Sequence, residues 1–524
     1  MVLKQTEGIN TKDKFNRKNM AVLILLFILD LFITMSSTLN PFSNTMPTTD
    51  SAVFVYLGQR LREGAVPYLQ IFDHKGPMLY AIEWLGLIVG NGNLIGIWVL
   101  EVIFMFASLY FMYRTARLFT DSEVVSLAAV ALGSELFSNA FGRGNLSEEY
   151  ALPFIAYSLY VFLKFIRTSV FTYPEVGMTG ACFGSILLIR ANMISVWVSW
   201  MPIILILLLT DPGRKVNQKI CTVLKLTVSF AAGIILVMLP FIGWYSAHHA
   251  LQAMITTYLG YNSQYMGGNP ESLSSIGSVI RTFSHMEILT TFIFSAYLVA
   301  VTEWSYHNLK NRRMLVCWGN VLYLIVTTYL ISISGRNYSH YLTVLIPCLV
   351  LALMFLLDAW RRNFVDHAEE SSRDARRRYW IFVLAVMVLI IYQGYIKTQL
   401  LQIMDLRNAN EQDEAVATEI RQYANPGDDI YVFGNNVRFY VETKTHTDTR
   451  FVFPPDYINI DNEVMAYISK DLPKVIVRLN YYEDGSKVGS GDLEAFVDDL
   501  VSKGTYTVQR TDYASVYVLA ATQK

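Results

Sequence analysis

Long apolar runs separated by short polar segments fill the first 400 residues of the chain. A run of about 20 apolar residues is long enough for an α-helix to cross the hydrocarbon core of a membrane. Such runs occur at about residues 20–35, 94–113, 123–140, 151–166, 176–190, 193–210, 222–244, 286–305, 314–333, 341–360 and 379–396. The pattern predicts a polytopic α-helical membrane protein with about 11 transmembrane helices.

One further apolar segment, Pro77–Val89, is interpreted differently. It has about 13 residues, which is too short for a crossing. Counting it as a span would also place Arg114 and Arg117 outside the cell and invert every later loop. We therefore predict a re-entrant or juxtamembrane helix here, within the first outer loop.

Basic residues divide unevenly between the connections of the predicted helices. The N-terminus and every second connection together hold 21 Lys and Arg residues, whereas the intervening loops between the predicted helices hold 7. Cytoplasmic loops carry the excess of Lys and Arg in membrane proteins. The protein is therefore predicted to lie in the cell membrane with its N-terminus in the cytoplasm and its C-terminus outside.

The apolar runs stop near residue 400, and the remaining sequence has the pattern of a soluble domain. Glu411–Tyr423 predicts a helix and residues 430–433 predict a short buried strand. Lys474–Leu479 and Tyr506–Leu519 also predict strands, and Leu493–Ser502 predicts a helix.

Two domains follow from this change of pattern. We predict a transmembrane domain at residues 1–399 and a small extracytoplasmic α/β domain at residues 400–524. The second contains neither a G-x-G-x-x-G motif nor a P-loop, so nothing in it indicates nucleotide binding.

Composition supports the membrane interpretation and excludes other classes. With 53% hydrophobic and 16% charged residues, the chain has too little polar surface for a soluble globule. A net charge of −1 argues against a nucleic-acid-binding protein. The four cysteines lie in or beside apolar runs, which argues against a disulfide framework.

The candidate chemistry centres on the first outer loop, Thr48–Tyr80. It begins with Asp50, directly before an apolar-periodic segment that ends near Gly64. Asp50 fits two interpretations. It could cap the N-terminus of that helix, or it could act as the general base that sugar transfer to a hydroxyl group requires.

The same loop continues with a charged and aromatic phrase. It contains Pro67-Tyr68, then Phe72-Asp73-His74-Lys75-Gly76-Pro77, then Tyr80. The order and spacing resemble the first periplasmic loop of the GT-C glycosyltransferases, in the branch of protein O-mannosyltransferases and the lipid A aminoarabinose transferase. The resemblance implies that Asp50 is the catalytic base and that Tyr68, Asp73 and Tyr80 support the site.

An acidic pair, Glu148 and Glu149, lies in the loop before the fourth predicted span. Carboxylates at a helix start are stabilised by the helix dipole, so charge compensation is one interpretation. The GT-C resemblance implies another, in which the pair binds a divalent metal ion or orients the acceptor. Both alternatives stay open, and a metal ion is the one cofactor that the sequence suggests.

Two further polar segments interrupt apolar runs on the same predicted face. They are Arg190-Ala191-Asn192 and the segment from Gly335 to Tyr341, which includes Arg336 and His340. Arginine near a bilayer either extends its charge to the lipid headgroups or has a function. Because guanidinium groups match phosphate oxygens, we predict a phosphate site formed by Arg190, Arg336 and His340, with His74 and Lys75 sharing the role and Asn192 supporting it.

These features together predict a polyprenyl-phosphate-sugar-dependent glycosyltransferase that transfers a hexose or pentose with inversion on the outer face of the membrane. Its partners would be the lipid-linked donor, membrane lipid and a hydroxyl acceptor on an envelope lipid, a glycopolymer or a protein, and no nucleic acid. A transporter or flippase of a lipid-linked precursor, and a non-catalytic scaffold for envelope assembly, are the alternatives. Neither accounts for Asp50 and the acidic pair together.

Overall fold

The helices occur where the apolar periodicity predicts them. The computed structural model describes residues 17–135, 141–267, 288–308, 312–333, 338–363, 374, 377–382, 384–385, 395–408, 410–455, 458–480 and 491–520. Arg336 and most of the span predicted at 379–396 lie outside these residues.

The α-helices are numbered here along the described residues. They are α1 (Arg17–Thr34), α2 (Thr49–Arg62), α3 (Pro77–Val89), α4 (Ile95–Ala116), α5 (Glu123–Glu135), α6 (Ser147–Thr168), α7 (Tyr173–Ile189), α8 (Ser195–Leu209), α9 (Val216–Ala247), α10 (Leu251–Ile255), α11 (Asn262–Gly267), α12 (Ile288–Asn308), α13 (Arg312–Ser332), α14 (Ile346–Arg361), α15 (Tyr395–Asp405), α16 (Glu411–Tyr423), α17 (Arg438–Thr443), α18 (Asp461–Asp471) and α19 (Gly491–Ser502). Short 3₁₀ segments precede α8 (Ala191–Met193) and α14 (Ser339–Leu345), and a π-helical turn at Thr256–Tyr261 joins α10 to α11.

Among the described residues, 6 helices are long and apolar enough to cross a membrane. They are Ile95–Ala116, Ser147–Thr168, Ala191–Leu209, Val216–Ala247, Arg312–Ser332 and Ser339–Arg361, and shorter apolar helices occur at Asn19–Thr34, Pro77–Val89, Glu123–Ser134 and Tyr173–Ile189. The predicted class, a polytopic helical membrane protein with a small C-terminal α/β domain, is confirmed. The helix predicted at Pro77–Val89 forms with those bounds.

The chain forms two compact units that are not continuous in sequence. The first unit comprises Met1–Ser36, Leu100–Phe241 and Asn269–Gln402. The second comprises Ser37–Val99, Ile242–Gly268 and Ile403–Lys524. The boundary that the sequence predicts between residues 399 and 400 stays a prediction.

The first unit is a helical bundle with an apolar core in which helices approach closely at glycines. A Cβ atom added at Gly180 of α7 would lie 2.0 Å from the Phe230 carbonyl oxygen of α9. One added at Gly233 of α9 would lie 1.9 Å from the Gly177 carbonyl oxygen of α7. Small residues at such crossings let helix backbones pack in van der Waals contact where lipid offers no hydrophobic driving force.

In the second unit, α2 and α3 pack against one another and α3 turns back into the start of α4. A Cβ atom at Gly58 would lie 2.7 Å from Glu83 Cβ, and one at Gly86 would lie 2.7 Å from Ile97 Cα. Helix α2 ends at Arg62, and Gly64 follows with φ +96°. This left-handed residue after the helix is the glycine termination that the sequence predicts.

The C-terminal part of the second unit contains a four-stranded sheet. Its strands are β1 (Ile430–Val432), β2 (Val475–Leu479), β3 (Tyr506–Arg510) and β4 (Ala514–Leu519), in the order β1-β2-β4-β3. Strands β1 and β2 are parallel, and the pairs β2–β4 and β3–β4 are antiparallel. The segment predicted as strand at 506–519 is thus a hairpin, because the Thr511 N–H and hydroxyl both bond to the Ala514 carbonyl and turn the chain.

The second unit is assembled from distant parts of the chain. Phe72 of the first outer loop shares one core with Tyr261, Phe451 and Tyr431 of β1. The Phe72 N–H donates to the Arg450 carbonyl oxygen at 2.7 Å. The first outer loop is therefore held by residues far along the chain.

Candidate functional site

Asp50 lies in the first turn of α2, where the helix dipole stabilises a negative charge. The N-cap residue is Thr48, and no side chain caps the helix. The capping interpretation of Asp50 is therefore wrong. Its side chain is half-buried, so solvent or a substrate hydroxyl can still reach it.

Asp73 is the buried carboxylate of the same loop, with 2% of its surface exposed. Its Oδ1 accepts from the His74 N–H at 2.7 Å, and its Oδ2 lies 3.0 Å from the Tyr80 hydroxyl. Burial raises the pKa of Asp73, the Lys75 ammonium opposes that rise, and repulsion from Asp50 adds to it. Asp50 and Asp73 are thus close enough for their charges to interact.

Two tyrosines fix the backbone at Lys75. The Tyr68 hydroxyl donates to the Lys75 carbonyl oxygen at 2.7 Å, and the Tyr80 hydroxyl lies 2.9 Å from that oxygen. Tyr68 itself has φ +70°, an uncommon conformation for a residue with a Cβ atom. Strain of this kind persists only where surrounding contacts enforce it, and here the buried rings of Tyr80 and Tyr245 pack on Tyr68.

The side chains of His74 and Lys75 lie together. Lys75 Nζ is 3.3 Å from His74 Nε2 and 5.7 Å from the centre of the Phe54 ring. The ring of His74 packs on Tyr261 at 5.4 Å. The His74 carbonyl oxygen accepts from Asn262 Nδ2 at 2.7 Å. Asn262 is a positioning residue that the sequence analysis missed, since no local pattern links it to a loop 188 residues away.

The first unit holds the second group of predicted residues. Arg190 Nη1 lies 2.5 Å from Glu148 Oε1, and the guanidinium group stacks 4.2 Å from the centre of the Tyr341 ring. Glu148 Oε2 accepts from the Ser147 hydroxyl at 2.8 Å. His340 packs edge-on against Tyr341 at 4.8 Å and parallel to Tyr338 at 5.5 Å. The structure thus brings together the acidic pair, Arg190 and the segment that holds His340.

Glu149 is buried beside Glu148, with 6% of its surface exposed. Its Oε1 has no hydrogen-bond partner among the described residues. Glu101 of α4 is also buried and interacts electrostatically with Glu149, and its carboxylate accepts from the Asn145 N–H. Glu101 is a second residue that the sequence analysis did not assign to the site. A lone acid inside an apolar run was the available signal.

The remaining predicted site residues are Asn192 and Arg336. Asn192 Nδ2 lies 3.4 Å from the Leu330 carbonyl oxygen, and its Oδ1 is buried without a partner among the described residues. Arg336 lies outside the described residues. The roles assigned to all these side chains stay predictions.

Residues that could ligate a metal ion occur together at one place among those described. The ligand atoms of Asp429, His446 and Asp448 all lie within 4.8 Å of one another in the C-terminal part of the second unit. The Asp429 Oδ1 already accepts from the Tyr467 hydroxyl at 2.6 Å, and burial raises the pKa of Asp429 to about 6. Glu148 and Glu149 are not part of this group.

Three comparisons with known proteins bear on this chain. Residues 11–405 match the family model described as "Putative competence-induced protein Ccs4 N-terminal domain". No curated protein matches the sequence.

Solved structures with a similar fold are membrane glycosyltransferases. ArnT from Cupriavidus metallidurans in the apo state has a TM-score of 0.60 at 12% identity, covering 96% of this chain and 99% of ArnT. ArnT bound to undecaprenyl phosphate has a TM-score of 0.58 at 11% identity, covering 95% and 98%. The apo oligosaccharyltransferase of Archaeoglobus fulgidus has a TM-score of 0.53 at 12% identity, covering 89% and 70%. The GT-C fold predicted from the first outer loop is confirmed.

Proposed function

This chain belongs to the family of competence-induced Ccs4 N-terminal domains, and we propose that it is a membrane glycosyltransferase that transfers a sugar from a polyprenyl phosphate to a hydroxyl acceptor. The observation that carries the proposal is the state of Asp50. It is a half-buried carboxylate at a helix N-terminus that makes no capping bond, and it lies beside the buried network of Asp73, Tyr80 and Lys75. A partly exposed carboxylate that makes no capping bond can accept the proton of a substrate hydroxyl.

In the proposed reaction Asp50 acts as the general base. It takes the proton of the acceptor hydroxyl as that oxygen forms a bond to the anomeric carbon. The bond between that carbon and the phosphate oxygen breaks on the opposite face, so the configuration inverts and the electron pair leaves with the polyprenyl phosphate.

Basic side chains stabilise the phosphate that leaves. Lys75 supplies a compact ammonium group, and His74 lies beside it at 3.3 Å. Arg190 has the planar guanidinium group that matches phosphate oxygens, oriented by Glu148 and Tyr341. We assign Arg336 and His340 to the same role from the sequence alone. Glu149 and Glu148 would orient the acceptor or hold a divalent ion.

Two observations support a polyprenyl-phosphate-linked donor. ArnT, with the same fold, has been crystallised bound to undecaprenyl phosphate. In addition, the C-terminal domain has no nucleotide-binding motif, whereas a lipid-linked donor reaches a membrane site laterally. The 21 to 7 distribution of basic residues supports a site on the outer face. The transferred sugar would be a hexose or a pentose.

The test is the substitution Asp50→Asn, with Glu63→Gln as the control. Both remove one carboxylate charge at an end of α2, but Glu63 is the C-cap residue and pairs with Arg60 at the surface. We expect Asp50→Asn to insert normally in the membrane, to unfold at the wild-type temperature and to lose about 10²- to 10⁴-fold in transfer rate. Glu63→Gln should transfer sugar at nearly the wild-type rate.

Transfer is measured with purified full-length protein and a radiolabelled polyprenyl-phosphate sugar, by incorporation into envelope extracts from a deletion strain. Equal rates for Asp50→Asn and the wild type would remove Asp50 from the mechanism. Loss of transfer together with loss of thermal stability would show that Asp50 is structural instead.

A further inference from the structure

The second unit contains a cavity that the proposed reaction does not use. Its volume is about 440 Å³, within the range typical of sites for small molecules. Three parts of the chain line it: the segment 38–47 that precedes α2, residues 93–95 at the turn into α4, and Asn410 with residues of α16 and α17. The first two belong to the part Ser37–Val99 of the second unit, and the third belongs to its C-terminal part.

Hydroxyl, amide and carboxylate groups form most of the lining. The polar lining residues are Thr38, Asn40, Ser43, Asn44, Thr45, Asn93, Asn410, Asp413, Glu414 and Glu442, and the remainder are apolar. Among the lining residues there is no Lys, Arg or His. The cavity therefore combines hydrogen-bonding groups with negative charge.

The wall formed by the segment 38–47 is held rigidly. Asn40 Nδ2 donates to the Ser37 carbonyl oxygen at 2.7 Å, and Asn40 Oδ1 accepts from the Phe42 N–H at 2.7 Å. Asn44 donates through its backbone to the Leu406 carbonyl oxygen at 2.6 Å and through Nδ2 to the Arg407 carbonyl oxygen at 2.8 Å. A wall fixed in this way loses little conformational entropy when a ligand binds.

Arginines that do not line the cavity hold its carboxylates in place. Asp413 Oδ1 accepts from Arg438 Nη2 at 3.0 Å and from Nε at 3.2 Å. Glu414 and Glu442 both bond to Arg421. A carboxylate has about four acceptor positions, so Glu414 and Glu442 keep acceptor capacity after their bonds to Arg421. The arginines thus hold in place three carboxylate side chains that line the cavity.

We propose that this cavity binds a sugar unit that carries hydroxyl or amino groups and no negative charge. Hydroxyl and ammonium groups donate to oriented carboxylate oxygens, and such charge-assisted bonds are stronger than neutral ones. No cation among the lining residues would pair with a phosphate or a uronate, and the polar lining disfavours a lipid chain. That this sugar unit is the acceptor of the transfer reaction rests on the proposed function. That the cavity binds such a sugar does not depend on it.

Saturation-transfer NMR on the full-length protein in detergent tests the binding. The probes are three trisaccharides that differ in charge: maltotriose, the trimer of glucosamine and trigalacturonate. We expect saturation of the neutral and the cationic trisaccharide, with tighter binding of the cationic one, and none of the anionic one. Equal signals from all three, or a signal from trigalacturonate alone, would overturn the proposal.

Glu442→Gln locates the site, with Glu463→Gln as its matched control. Glu442 pairs with Arg421 in the cavity wall, while Glu463 pairs with Arg450 at the surface of the same unit, outside the lining. Losing one charged hydrogen bond should weaken binding of the glucosamine trimer about tenfold in Glu442→Gln. Glu463→Gln should bind as the wild type does, and an equal effect in both variants would contradict the assignment.

A second substitution, Thr45→Trp, fills the cavity and should abolish saturation of both trisaccharides. Binding that survives Thr45→Trp in folded protein would place the sugar elsewhere.

Asp50→Asn separates this inference from the proposed function, because it should stop transfer and leave trisaccharide binding unchanged. If the wild-type protein binds the trisaccharides with the expected charge preference but transfers no sugar, the sugar-binding cavity is supported and the proposed glycosyltransferase activity is refuted.

Discussion

At the scale of single residues, the sequence singled out the polar side chains of the first outer loop but not their contacts. The phrase from Pro67 to Tyr80 is local in sequence, so its composition alone marked Asp73 and Lys75. The bonds from Tyr68 and Tyr80 to one carbonyl oxygen depend on a left-handed backbone at Tyr68 that no periodicity encodes. The contact from Asn262 is invisible to any local pattern, because it crosses 188 residues.

Arg190 pairs with Glu148, so it has a structural contact in addition to its predicted role in phosphate binding. The buried pair joins atoms 2.5 Å apart, and Arg190 exposes 15% of its side chain. Arg190→Ala leaves Glu148 buried without its partner, which typically costs about 3 to 5 kcal/mol. We therefore expect Arg190→Ala to lower the unfolding temperature as well as donor affinity, so this variant alone does not test the clamp.

Adding Glu148→Gln to Arg190→Ala separates the two effects. The double variant removes the unpaired charge, so its unfolding temperature should return towards that of the wild type. Donor affinity, measured by titration with a polyprenyl phosphate, should stay low if Arg190 binds the phosphate. Wild-type affinity in the stable double variant would limit Arg190 to orienting Glu148.

At the scale of elements, patterns with a helical period located the helices closely. The helix predicted at Glu411–Tyr423 has those bounds, because Asn410 caps it by accepting from the Gln412 N–H at 3.1 Å. The β3–β4 hairpin was less predictable, since Thr511 to Tyr513 lacks the glycine or proline that usually marks a turn. How helices pack was not predictable, because close crossings depend on which glycines face one another.

Gly233 and Gly243 of α9 test that packing as a matched pair. A Cβ atom at Gly233 would lie 1.9 Å from the Gly177 carbonyl oxygen, whereas one at Gly243 meets nothing within 4 Å. Gly233→Ala forces α7 and α9 apart and should cost about 1 to 3 kcal/mol. Gly243→Ala should be neutral or stabilising by up to about 1 kcal/mol, because alanine favours helix more than glycine does. Thermal unfolding of the purified variants measures both, and equal melting temperatures would refute the close crossing.

At the scale of the whole molecule, orientation in the membrane rests on the distribution of charge. Single cysteines at Lys470 and Lys215 test it, because both side chains are exposed. The background needs Cys221 replaced by Ser, since it is exposed, while Cys182, Cys317 and Cys348 are buried. An impermeant maleimide added to intact cells should label Lys470→Cys and leave Lys215→Cys unlabelled. The reverse result would invert the topology and place the proposed reaction in the cytoplasm.

The discontinuity of the second unit sets an order of events during synthesis. The last part of the second unit begins at Ile403. The segment Ser37–Val99 is synthesised roughly 300 residues before it. At about 5 to 20 residues per second, that interval lasts on the order of 15 to 60 s. Until then the partner of the Phe72 N–H, the Arg450 carbonyl, does not exist. The nascent loop that carries Asp50 therefore lacks this partner during most of translation, and a chain truncated before residue 403 would lack the last part of the second unit.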